Sequence, residues 1–112
     1  MKHNEIEKSK VYIIAEIIDY LSNSVVSKTI LKKTTCSINA MSFDVGKTWM
    51  EKISPFDAFV QIIEGRAEIV IDDASFFLEK GETIIIPAHK PNLLRANERF
   101  KMILTVIKSG YE

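Results

Sequence analysis

The chain is poor in the side chains that carry most enzyme chemistry. Its 112 residues include two histidines, His3 and His89, and one cysteine, Cys36. A lone cysteine forms no internal disulfide, and with no histidine or second cysteine close to it in sequence Cys36 reads as a strand residue without a redox role. His3 sits in a polar opening stretch and reads as solvated. His89 lies between Pro87 and Pro91 and reads as a residue of a rim or surface loop. A metal site drawn from His89, Glu51 and Asp57 would rest on loop ligands, whereas zinc-type sites present three or more good donors from a defined scaffold. Arg66, Arg95 and Arg99 are dispersed, so no phosphate cluster is indicated. No P-loop, dinucleotide glycine fingerprint, H-E-x-x-H or G-x-S-x-G elbow occurs. From motifs, no catalytic residue, no metal and no cofactor are expected.

The elements that must position whatever chemistry remains are mostly strands. Ile, Val and Thr together make up 30 residues, a bias toward pleated, half-buried surfaces. Residues 1–10 form a polar arm. Val11, Ile14, Ile17, Ile18 and Leu21 recur at helical spacing, with Glu16 and Asp19 opposite, so the spacing predicts one short amphipathic helix ending near Asn23. From Val25 the pattern becomes short strands and turns: 25–31, 35–44, 49–54, 58–63, 67–71, 75–78, 83–86, 93–96 and 100–107. Gly65 marks a bend or bulge, and Pro55 and Pro87 close strands where no ladder donor is needed. On 35–44 Asn39, Met41 and Phe43 share one face, and Ile38, Ala40 and Ser42 share the other. On the last strand Phe100, Met102, Leu104 and Val106 form a wholly apolar face. Eight or nine short strands punctuated by glycine and proline predict an all-β sandwich or barrel.

The balance of 15 basic and 15 acidic residues leaves no net charge, so no nucleic-acid or anionic-membrane partner is expected. The apolar stretch Val11–Ile18 is far too short to span a bilayer and no secretory signal is visible, which with the single cysteine predicts a cytoplasmic protein. The length allows one domain: an arm and helix over 1–24, then the barrel over 25–112.

Two segments have a spacing similar to a known pair of motifs: Gly46 to Gly65 (GKTWMEKISPFDAFVQIIEG) and Gly81 to Ala96 (GETIIIPAHKPNLLRA). They resemble the cupin motifs G-x5-H-x-H-x3-E-x6-G and G-x5-P-x-G-x2-H-x3-N, with Gly46, Gly65, Gly81 and Pro87 in register. The phrases VQIIEGRAEIVID and LEKGETIIIPAHKP look like small single-domain members, the cupin type-2 conserved barrels. The resemblance implies a jelly-roll β-barrel preceded here by the short helix, and a homodimer. In that family three His and one Glu hold a divalent metal inside the barrel. Here those places carry Lys52, Ser54, Ala58 and Asn92, which bind such metals poorly.

The register therefore predicts a metal-free cavity with a few polar groups at one end, lined by Met41, Phe43, Met50, Lys52, Ser54, Ala58, Asn92 and Met102. Lys52 is the sharpest candidate for chemistry, either with a lowered pKa inside the barrel or snorkelling to its rim. The expected function is binding of a small apolar or amphipathic molecule, or a non-catalytic modular role. The alternative is a metal-dependent cupin enzyme of dioxygenase or isomerase type with atypical ligands.

Overall fold

The computed structural model describes residues 5–50 and 53–111. Eight strands follow one another: β1 (Val25–Lys32), β2 (Cys36–Phe43), β3 (Thr48–Met50), β4 (Ala58–Ile71), β5 (Ala74–Glu79), β6 (Thr83–Ile86), β7 (Asn92–Arg95) and β8 (Phe100–Ile107). All pairings are antiparallel, and they curl into a jelly-roll half-barrel. One sheet runs β1-β2-β8-β4-β6, and the other runs β5-β4-β7-β3.

The two sheets share β4. Its first half pairs with β8 and β6, and its second half pairs with β5 and β7. The change of sheet falls at a register shift between Ile62 and Glu64, followed by Gly65 with φ +76°. A Cβ at Gly65 would overlap the carbonyl oxygen of Arg99, so the bend takes only glycine without moving backbone. The two strands expected on either side of Gly65 are therefore one continuous strand. A bulge bends a ladder without ending it.

The expected helix over residues 11–21 is corrected. The segment holds a single 3-10 turn, Ile14–Glu16, and otherwise runs as a strap over the outer face of the larger sheet. Val11 is 95% exposed and Leu21 60%, while Ile18 is buried against Ala40 and Ile103. Side chains of the sheet satisfy the strap's backbone in place of helical bonds. The Lys101 ammonium donates to the Ala15 carbonyl at 2.5 Å, Lys28 to Ile17 at 3.3 Å, and the Ser42 hydroxyl to Asp19 at 2.8 Å. Isoleucine is a modest helix former, and here tertiary contacts outweigh the periodicity.

Alternation decides the core. The β2 face bearing Met41 and Phe43 turns inward, as does the β8 face bearing Phe100, Met102 and Leu104. Phe43 stacks on Phe100 with ring centroids 4.4 Å apart, and Trp49 meets Phe43 edge-on at 6.3 Å. The stacked Phe43–Phe100 pair closes one end of the barrel.

Candidate functional site

The other end is open. The segment 53–57 leads into β4 across the barrel mouth, and proline at 55 keeps it out of any ladder. The Ser54 hydroxyl accepts the Phe56 amide at 3.0 Å, a local turn of the kind serine favours. The segment is fastened on both sides. The Ser54 carbonyl accepts the His89 amide at 2.7 Å, and an Asp57 carboxylate oxygen accepts the Ala88 amide at 2.7 Å. The Asp57 amide in turn donates to the Tyr111 hydroxyl oxygen at 2.7 Å.

Behind this segment lies a small enclosed cavity of about 30 Å³, lined by Ser54, Phe56, Ala58, Asn92, Met102 and Leu104 among others. That is room for about two waters and for no organic molecule. Trp49, Ser54, Phe56, Leu104 and Val106 also line a half-open vestibule of about 540 Å³, whose far wall adds Ser27, Ser37, Asn39, Met41 and Lys108. The cavity and the vestibule are therefore neighbours that share five lining residues.

Most of the sequence-derived site residues come together. Ser54, Ala58, Asn92 and Met102 share the inner cavity, and Met41 lines the vestibule. Two are corrected. Phe43 lines neither space, because it sits at the closed end with its face taken by Phe100. Met50 pairs with Leu93 with its side chain on the outer face, 71% exposed, beside a groove that also holds Val70 and Pro91. Lys52, with Glu51, lies outside the described residues, as does His3. His89 is exposed on the rim with φ +65°, a left-handed conformation at the place where the cupin motif has glycine.

Sequence reasoning missed Lys108. It follows β8 in phase with Phe100, Met102, Leu104 and Val106, so strand alternation carried the signal: a lysine continuing an inward column. The groups with displaced titration lie away from the mouth. Hydrogen bonds from Arg99 and from the Asn23 and Val45 amides hold Asp44 down at about 2, and Arg99 is raised in turn. Glu68 is lowered, first by its hydrogen bond from Asn97. Burial, then the hydrogen bond to Glu64 at 2.6 Å, raises Tyr20. These groups tie loops and strap to sheets. Among the described residues no three His, Cys, Asp or Glu side chains gather as metal ligands.

The same architecture occurs in solved structures. A conserved protein of unknown function from Streptococcus pyogenes is 34% identical, with 98% of this chain and 97% of that one aligned at a TM-score of 0.89. A cupin 2 conserved barrel domain protein from Leptotrichia buccalis is 33% identical over 84% of this chain, at a TM-score of 0.80. The chain folds as a small cupin domain. It spans 46% of the Leptotrichia protein, about half. A cupin superfamily protein from Desulfitobacterium hafniense, 24% identical with 96% of this cupin aligned at a TM-score of 0.84, shares the fold. No family model matches the cupin's sequence, and no curated protein matches it.

Proposed function

We propose that this cupin is a metal-free binding module that takes a small apolar or amphipathic molecule at the open end of its barrel and catalyses no reaction on it. One observation carries the reading. Three places at which the cupin motifs put metal ligands, Ser54, Ala58 and Asn92, converge on a single cavity and offer a hydroxyl, a methyl and a carboxamide. That donor set does not fit the family's transition metal, since it lacks both imidazole and carboxylate. What remains is an apolar wall with a few polar groups, the usual make-up of a small-molecule site. The inner cavity is too small for such a molecule, so the ligand sits in the vestibule with its tip toward Ser54 and Asn92.

Two measurements test this. Amide chemical shifts, followed during titration with small aromatic and aliphatic probes, change around Ser37, Trp49, Ser54 and Asn92; no probe-dependent change there overturns the site. Elemental analysis of untagged protein finds no stoichiometric transition metal; about one equivalent per chain restores the enzyme reading. A gain-of-function variant sharpens the register. Lys52→His, Ser54→His, Ala58→Glu and Asn92→His together create zinc or nickel affinity that the parent lacks.

The same proposal makes the protein a cytoplasmic homodimer. Its single free cysteine suits a reducing compartment. No helix among the described residues is long and apolar enough to cross a membrane. The uncovered half of the larger sheet presents Phe59 and the 59% exposed Ile85 near its β6 edge, which supports a covering partner. Sedimentation at micromolar concentration that finds only monomer overturns the dimer.

A further inference from the structure

We infer that the vestibule selects an amphipathic anion, with its apolar body against Trp49 and Leu104 and its carboxylate at Lys108. This rests on the reading of the open end as a binding site and names the class of molecule bound there. The charge pattern carries it. Among the described residues Lys108 is the only charged side chain lining the vestibule, and no Asp or Glu lines it. The lysine is half-buried, and its backbone is fixed, because its amide donates to the Thr35 carbonyl at 2.7 Å. No described carboxylate lies within ion-pair distance of its ammonium.

The contrast with Lys101 is instructive. That side chain is only 8% exposed, and its ammonium is matched by the Ala15 carbonyl at 2.5 Å and by Glu64 at 3.8 Å. A half-buried lysine without such a match is free to pair with an anion supplied from outside. The neutral groups beside it are of the right kind. Ser27, Ser37 and Asn39 bring hydroxyl and amide donors, and the one hydrogen bond among them, Asn39 to Ser27, is long at 3.4 Å. A carboxylate there gains charge-assisted bonds, an uncharged amide gains weaker ones, and an organic cation is repelled.

The test is calorimetry with amide-shift mapping on the full chain, using 2-naphthoate, 2-naphthamide, acetate and 2-naphthylmethylammonium. The expected result is that 2-naphthoate binds about tenfold more tightly than 2-naphthamide, shifting Ser37, Asn39 and Lys108. Acetate, without an apolar body, binds at least about tenfold more weakly than 2-naphthoate. Lys108→Gln brings 2-naphthoate down to the 2-naphthamide affinity while leaving the amide's unchanged, and Lys108→Glu reverses the preference toward the ammonium probe. An unchanged thermal midpoint in both variants excludes a folding effect. Equal affinities of the parent for 2-naphthoate and 2-naphthamide overturn the anion inference and leave the binding site standing. If no naphthyl probe perturbs the vestibule, both readings fall.

Discussion

The closed and open ends of the barrel are walled by the same strands, yet they turn different residues inward. On β2 the inward column reads Phe43 at the closed end, then Met41, Asn39 and Ser37 toward the mouth. The column of β8 runs from Phe100 and Met102 to Val106, and Lys108 continues it beyond the strand. At the closed end Phe43 and Phe100 are fully buried and stack on one another; at the open end side chains surround empty volume. Stability is concentrated where the rings meet, which leaves the mouth free to vary its chemistry at small cost to the fold.

The largest effect is expected at the closed end. Phe100→Ala removes a fully buried ring from the Phe43 stack and lowers unfolding free energy by about 3–5 kcal/mol in urea melts. A loss below about 1 kcal/mol would erase the distinction between the ends. Next comes the rim of that end, where Asp44 joins the Arg99 guanidinium at 2.8 Å and the Asn23 amide at 2.6 Å. Its carboxyl is held at about 2, below the ordinary 3.8, so the native state favours the ionised form. The stabilisation is complete above about pH 4 and drains away as the pH falls through about 2. Denaturation midpoints between pH 5 and pH 2 should fall less steeply in Asp44→Asn, and an identical slope would remove Asp44 from the account.

The open end should yield smaller numbers. Ser54→Ala deletes the acceptor for the Phe56 amide and costs about 1 kcal/mol, with faster amide exchange confined to Phe56 and His89. Exchange that accelerates throughout β8 would mean that the mouth segment supports the whole barrel. Ala58→Val fills the inner cavity and changes stability by no more than about 1 kcal/mol in either direction. A cost as large as that of Phe100→Ala would show that the mouth is packed as tightly as the closed end.

Strand positions were legible because alternation and proline speak locally. β6 and β8 begin and end where the sequence indicates, and the inward faces of β2 and β8 are those that the pattern marks. Motif spacing brought Ser54, Ala58 and Asn92 to one cavity although nearly forty residues separate the outermost two. Depth along the barrel was not legible. Alternation assigns a face but not an end, so Phe43 seemed as close to the cavity as Met41. Nor did it resolve the parity of β3, where Trp49 points inward and Met50 outward. The strap was misread because Val11, Ile14, Ile17, Ile18 and Leu21 fit a helix face, while only Ile17 and Ile18 find apolar partners on the sheet. Lys108 lies one residue past the expected last strand, 100–107, yet it is in phase with the column before it.

The pairing of β2 with β8 has a consequence for the birth of the molecule. This ladder matches Phe43 with Phe100 and Cys36 with Ile107, so its partners lie some sixty to seventy positions apart along the chain. As the polypeptide leaves the ribosome, β2 has no long-term neighbour on that side until β8 emerges. The loop that must close is long, and its entropy is lost before the ladder forms, which places the chain among slow folders, in milliseconds to seconds. During that interval the edge of β2 that β8 will take is open to a chaperone or to a second unfinished chain.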